Sequence, residues 1–398
     1  MVASFGVRVL TQYASICQQK NLQRTGPVSL RLMSSSDCSH AQTVVPERAA
    51  ALLAGLQAAL WADAPELASA NLRLLQDTGL AHDHVQLVGK GVLARIPKQS
   101  QMRLDACANL QYERTCFERT EPSGHTPHLR AVLPVSRSLA RGALLVEQVL
   151  GAPAQLPQHL GAVMQALASI HALPLPEVSR RAPLLNASDP LVDLLGEIQD
   201  QAAYLAQAAL SAQVLRRIQS QLTALQAACR EPSRPERSLI AFDAHPGNFL
   251  LLASGDAVLV DLEKCRYSYP GLDLAHATLY TSTTWDIHSQ ARLNDVQLEQ
   301  AYGQWERSMG EAGAERARPW HAVLRRSMWL WSITWCAQWQ VLSRREAQTD
   351  TQGQDWSADL SNQALVAHVA QRVAHYLDAQ VVDAVCDGLD RFDLAMRT

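Results

Sequence analysis

The stretch from Leu239 to Asp261 constrains this chain more than any other. It reads Leu-Ile-Ala-Phe-Asp-Ala-His-Pro-Gly-Asn-Phe-Leu-Leu-Leu-Ala-Ser-Gly-Asp-Ala-Val-Leu-Val-Asp. Phe249–Leu252 and Ala257–Val260 are short apolar runs on either side of a Ser-Gly-Asp turn, the pattern of a β-hairpin. The open end of such a hairpin holds the residue before its first strand and the residue after its second. Those residues are Asn248 and Asp261, thirteen positions apart in sequence and neighbours in the expected fold. Asp243, five residues before Asn248 in a short loop, can reach the same place.

Two hard oxygen donors and one further carboxylate suit phosphoryl transfer. Mg²⁺ takes only one or two ligands from protein and fills the rest of its shell with phosphate and water. A second carboxylate can orient a hydroxyl and accept its proton. On this reading Asp261 bridges metal to nucleotide phosphates, Asn248 holds metal or orders the loop, and Asp243 is the base. An ordinary surface hairpin would also place Asp and Asn at its turns. That reading is the better one for any of the three residues alone. The set in order, with Pro246-Gly247 before Asn248, favours the site.

On the N-terminal side the pattern is mixed. Apolar residues at helical spacing run from Pro46 to about Leu75. Val85–Pro97 reads as two strands around Gly89-Lys90-Gly91, residues 105–119 as a helix, and Leu129–Val135 and Ala143–Val149 as two more strands. From Leu156 onward helices dominate: Leu160–His171, two between Pro190 and Cys229 broken near Ser211, and others around 293–310, 316–345 and 361–392. The expected division is an N-terminal extension (1–45), a smaller strand-and-helix lobe (46–150) and a larger helical lobe (151–398), an α+β architecture.

Asp243-Ala244-His245-Pro246-Gly247-Asn248, followed by Val258-Leu259-Val260-Asp261-Leu262-Glu263, resembles the aminoglycoside phosphotransferase and choline kinase family. That family shows His-x-Asp-x-x-x-x-Asn, often as H-G-D-x-H-P-G-N, then a strand ending in Asp and a Pro-x-x-Asp-Leu-Ala element. Pro270-Gly271-Leu272-Asp273-Leu274-Ala275 is similar to the last. The resemblance covers roughly residues 80–345. It implies a two-lobed protein-kinase-like fold and a kinase that moves the γ-phosphoryl group of ATP or GTP, with Mg²⁺, to a hydroxyl of a small molecule. It also implies roles. Arg95 would contact the nucleotide phosphates, with Lys98 in reserve, and Glu113 would pair with that cation. The segment around Glu147 and Val149 would bind the base edge through its backbone. Asp273 would brace the catalytic loop, and His171 is a packing or capping residue.

Three departures bear on activity. Ala241 stands where the family has its motif histidine. Gly89 and Gly91 are a sparse phosphate-covering turn. The cation is Arg95, a planar fork where the family also uses the compact ammonium of Lys. These leave a second reading open: a catalytically weak or inactive relative that binds nucleotide as a regulatory or partner-binding module.

The acceptor is not named by the sequence. Family resemblance puts its site between the catalytic loop and the C-terminal helices, which here are rich in tryptophan. Trp331, Trp335 and Trp339 recur every four residues and share a helix face. A packed aromatic core is the simpler reading of that face. The sharper one is a wall for a cationic head group, with Asp286 and Glu263 as counter-charges. Amino alcohols, choline-like compounds, sugars and aminoglycosides all remain candidates.

Bulk composition excludes other classes. A formal net charge of −3, with 18% charged residues and no basic block, gives no footprint for nucleic acid. No apolar run approaches the length of a membrane span. The eight cysteines are scattered without paired spacing, as expected of reduced thiols in the cytoplasm. Residues 1–40 carry Arg8, Lys20, Arg24 and Arg31 and no acid before Asp37. That composition suits either an organelle transit segment or, the preferred reading, a disordered or upstream stretch with Met33 as the start.

Overall fold

The computed structural model describes residues 37–75, 81–100, 102, 104–286, 290–343 and 363–397. The readings of Met33 and of the basic residues before it fall outside these.

The smaller lobe is a five-stranded antiparallel sheet in the order β1-β2-β3-β5-β4. Its strands are β1 (Leu72–Leu74), β2 (His82–Leu87), β3 (Val92–Pro97), β4 (Leu129–Leu133) and β5 (Ala143–Glu147). The β2–β3 turn needs positive φ twice, at Gly89 (76°) and Gly91 (63°), which a side chain would strain. Helix α1 (Asp37–Asp63) packs Leu56 and Leu60 against Val85, Leu87, Val92, Ala94 and Ile96 on one face of the sheet. The helical periodicity expected through Leu75 ends early. Pro65 follows α1 directly, and Leu72–Leu74 pairs with Val85–Leu87 as an edge strand instead. On the other face lies α2 (Ala106–Thr120), capped by the Asp105 side chain on the Ala108 N–H.

The chain crosses to the larger lobe through β6 (Ala152–Pro153), which pairs with the hairpin β8 (Phe249–Leu251) and β9 (Ala257–Leu259). The hairpin register, Phe249 opposite Leu259, is the one its apolar pattern requires. Around it stand α3 (Leu160–His171), α4 (Pro190–Ala202) and α5 (Ala212–Arg230), with Ser211 as the N-cap between the last two. A short ladder of β7 (Ser238–Ile240) with β10 (Arg266–Ser268) leads into α6 (Gly271–Thr278) and α7 (Tyr280–Thr283). The C-terminal part is α8 (Asp295–Met309), α9 (Glu311–Ala317), α10 (His321–Leu342), α11 (Gln363–Tyr376) and α12 (Ala379–Arg397). The single helix expected over 361–392 is therefore two, parted at Leu377–Asp378.

Helix α10 is the axis of this lobe. Trp329, Trp331 and Trp335 are each 1% exposed and sit in one core with Leu194, Leu272 and Val373. The Trp331 and Trp335 indoles are packed on Phe242 and Trp285, so this aromatic face is core rather than an open wall. No helix among the described residues is long and apolar enough to cross a membrane.

Candidate active site

The loop between β7 and β8 carries Asp243 and Asn248, and it is held from beneath. Asp273, on the first turn of α6, accepts the Ala241 N–H at 2.7 Å on Oδ2 and the Phe242 N–H at 2.8 Å on Oδ1. Behind it, Nε2 of His171 lies 3.1 Å from Asp273 Oδ2, and the Trp305 indole donates to His171 Nδ1 at 3.0 Å. An indole N–H can only donate, so Nδ1 accepts and Nε2 carries the proton given to Asp273. The chain Trp305–His171–Asp273 is fully buried and fixes the loop backbone without a histidine at position 241. Ala241 itself packs in the core at 0% exposure.

Phe242 takes φ of +58°, a value that favours glycine. Its ring is held edge-on against Trp331 (5.4 Å) and under the Arg266 guanidinium (3.6 Å). The strained residue aims the next one, Asp243, away from this core. Gly247 is required by space: a Cβ there would lie 3.0 Å from Asp286 Oδ2 and from His245 Nδ1. His245 Nδ1 accepts the Gly247 N–H at 3.0 Å. Burial, reinforced by His276, pushes the His245 imidazole down to about 3, so it stays neutral.

The hairpin brings the expected groups together. Val260 donates to the Asn248 carbonyl at 2.9 Å, which sets Asn248 beside the strand end that carries Asp261. The Asn248 side-chain N–H donates to the Asp243 carbonyl at 3.0 Å, leaving its carbonyl oxygen as the atom a metal would take. Asp261 Oδ1 accepts from Arg95 Nη2 at 2.8 Å, and Arg95 Nη1 reaches the Val260 carbonyl at 3.1 Å. Burial alone would raise the Asp261 carboxyl; Arg95 more than reverses this and holds it below its ordinary value. Close by, Glu263 is 3% exposed, and its Oε1 has no hydrogen-bond partner. A buried set of hard oxygens with one of them orphaned is a donor set that fits Mg²⁺.

The cation and the helix acid are placed differently from the expected pair. Arg95 goes to Asp261, whereas Glu113 accepts from Asn109 at 2.7 Å and meets His82 Nε2 at 2.9 Å. The reason is local. His82, opposite Pro97 at the start of β2, fills the space between α2 and the strand end, with its Nδ1 3.4 Å from Glu263. Lys98 lies 3.8 Å from Asp83, away from the loop. Glu147 and Val149 sit at the crossing between lobes. Glu147 donates its N–H to the His128 carbonyl at 2.8 Å and accepts the His128 N–H on Oε2 at 3.3 Å, and Val149 packs on Leu250, Val258 and Val260.

One residue absent from the expectations stands at the centre. The ammonium of Lys264 donates to Asp243 Oδ2 at 2.9 Å, and both side chains are buried. His276 Nδ1 lies 3.9 Å from Asp243 Oδ1. Burial raises the Asp243 carboxyl above its ordinary value, against the opposing pull of Lys264 and His276. The sequence signal was available: Lys264 follows Asp261-Leu262-Glu263 immediately. Beside Phe242, a shallow solvent-facing indentation with room for about one water is lined by Pro190, Asp193 and Glu197 of α4 together with Phe242, Arg266 and Leu272.

Residues 141–320 match the model of the phosphotransferase enzyme family. No curated protein matches the chain in sequence. A choline/ethanolamine kinase family protein from Mesorhizobium loti superposes with a TM-score of 0.51 at 16% identity, over 83% of this chain and 93% of its own. An ethanolamine kinase of Plasmodium vivax gives 0.50 at 11% identity, over 78% and 84%. An aminoglycoside phosphotransferase in ternary complex with ADP and hygromycin B gives 0.51 at 15%, over 82% and 96%. Residues 141–320 thus carry the sequence pattern of the phosphotransferase enzyme family, in a chain with the two-lobed fold of the protein-kinase-like small-molecule kinases.

Proposed function

We propose that this protein is a small-molecule kinase that transfers the γ-phosphoryl group of ATP, or GTP, to a hydroxyl of a small metabolite or aminoglycoside-like acceptor. One observation carries the proposal: a loop clamped by Asp273 holds Asn248 against Asp243 and beside the strand end that bears Asp261. The matched family is one of phosphotransferases, and one of the similar structures holds ADP beside an aminoglycoside. Asn248 and Asp261 would hold Mg²⁺, which when bound would neutralise phosphate charge. Asp243 would take the proton of the acceptor hydroxyl; its raised proton affinity suits a base. Arg95 would face the phosphates, with Glu113 shaping its surroundings through His82. The base would lie on the Val149 patch, with its edge on the backbone near Glu147. The two lobes would divide near residue 150, and the protein would work in the cytoplasm.

With Trp331 and Trp335 buried, an aromatic cage on α10 does not support a choline-like acceptor over a sugar or an aminoglycoside. The test is ADP release with Mg-ATP across a panel of amino alcohols, sugars and aminoglycosides. If no acceptor raises turnover above that of Asp243→Asn, the enzyme reading fails. The second reading, a nucleotide-binding module without transfer, is favoured by the buried Lys264–Asp243 pair, which occupies one oxygen of the base. It requires thermal stabilisation by Mg-ATP with no product.

A further inference from the structure

Lysine is scarce in this protein: only Lys20, Lys90, Lys98 and Lys264 among 35 basic residues, the rest being arginine. A chain that uses arginine nearly everywhere keeps an ammonium at a buried position beside Asp243. Lys264 is 3% exposed and sits on Asp243 Oδ2 at 2.9 Å, while Asp243 Oδ1 has no hydrogen-bond partner. The same ammonium is within electrostatic reach of Asp261. It therefore touches the base directly and lies within the field of the phosphate-side carboxylate. Arg95 is less free to serve there, because its guanidinium already spans Asp261 and the Val260 carbonyl.

The two cations differ in what they can do. A guanidinium is a rigid fork suited to staying in place, whereas an ammonium on a four-carbon stem can change partner by rotating its own side chain.

We propose that Lys264 is a catalytic residue that changes partner, holding Asp243 in the nucleotide-free protein and moving to the γ-phosphoryl oxygens when a nucleoside triphosphate binds. This rests on the kinase reading above and adds to it the residue that meets the transferred group. With Lys264 on phosphate, Asp243 Oδ2 is left open to accept from the acceptor hydroxyl. The step then balances as follows. The acceptor oxygen attacks the γ-phosphorus and its proton passes to Asp243. The bond from that phosphorus to the β–γ bridging oxygen breaks, and its electron pair leaves with the nucleoside diphosphate. Lys264 stays protonated throughout.

The distinguishing measurement is nucleotide preference rather than activity, since losing a residue that touches the γ-group weakens the triphosphate more than the diphosphate. Affinities for Mg-ADP and a non-hydrolysable Mg-ATP analogue are read by thermal shift for the wild type, Lys264→Met, Asp243→Asn and the double variant. Lys264→Met leaves the Asp243 carboxylate buried and unpaired and risks misfolding. The double variant Asp243→Asn with Lys264→Met removes both charges and keeps the test available. Asp243→Asn, which retains Lys264, should prefer the triphosphate by about tenfold or more, the size of a charge-assisted contact. The double variant should bind both nucleotides within about twofold of each other. If it keeps the preference of Asp243→Asn, the proposal for Lys264 is overturned while the kinase reading stands. A wild type that binds neither nucleotide overturns both.

Discussion

Arg95 and Asp261 stand 166 positions apart in the chain and 2.8 Å apart in the fold. This ion pair joins β3 of the smaller lobe to the hairpin of the larger, and the same guanidinium also reaches the Val260 carbonyl. Arg95→Gln leaves Asp261 without its counter-charge in a largely buried place, where losing one partner costs about 3–5 kcal/mol. Arg95→Lys keeps the charge but cannot span both acceptors, a loss of about 1 kcal/mol. Urea unfolding of the three proteins checks the order. Equal losses for the two variants would mean that the pair does not bridge the lobes as described.

Asp273, 0% exposed, receives two backbone N–H groups and the His171 N–H. Asp273→Asn presents an amide N–H to at least one of these donors, leaving two donors facing each other. The expected loss is about 2–3 kcal/mol of stability, as for other unsatisfied buried polar groups. Turnover should fall with the loop's order, while nucleotide affinity, which depends on groups across the cleft, should hold. A variant that loses nucleotide binding and turnover in the same proportion would show that Asp273 acts on more than the loop.

The hairpin and the lobe order were legible because they depend on local pattern. Phe249–Leu252 and Ala257–Val260 alternate with a turn between them, and that alone sets Asn248 opposite Asp261. The clamp on the loop was legible only through the Pro270–Ala275 resemblance, since nothing local ties Asp273 to Ala241. The exchange of partners among Arg95, Glu113 and His82 was not legible at all. His82 and Glu113 are 31 positions apart, and their meeting depends on how α2 lies on the sheet. Lys264 was passed over for a different reason. A lone lysine after a strand end looks like a solvated charge until the burial around Asp243 is known. The strand at Leu72–Leu74 was misread because three leucines at mixed spacing fit a helix as well as an edge strand, and Pro65 settles the matter by ending α1.

Phe242 sets two effects against each other. A left-handed conformation costs a side chain about 1–2 kcal/mol, which glycine avoids. The ring, 1% exposed against Trp331, contributes about 3–5 kcal/mol of burial that glycine loses. Burial should win, so Phe242→Gly is less stable than the wild type by about 2 kcal/mol. Phe242→Ala loses the ring and keeps the strain, so it should be the least stable of the three, about 1 kcal/mol below glycine. Thermal denaturation ranks them. If alanine proves as stable as glycine, the strain assigned to this position is absent.

His245 gives the site an acid limit whose sign follows from burial. In the folded chain its imidazole is held down to about 3 by burial and by His276, whereas in the unfolded chain it takes a proton near its ordinary value. Between those two values the unfolded chain binds more protons, so stability rises with pH across that window. The contribution is fully present above the ordinary histidine range and is lost as pH falls from there toward 3, at up to about 1.4 kcal/mol per pH unit. His276, also shifted down chiefly by burial, adds to the same slope. His245→Asn keeps an acceptor for the Gly247 N–H but cannot titrate. Urea midpoints of the wild type should therefore fall more steeply from pH 7 to pH 5 than those of the variant. Because His245 orders the turn that carries Asn248, loss of nucleotide-induced stabilisation should follow the same acid slope. If the two proteins weaken in parallel with acid, His245 is not the neutral, buried support of the loop that its surroundings make it.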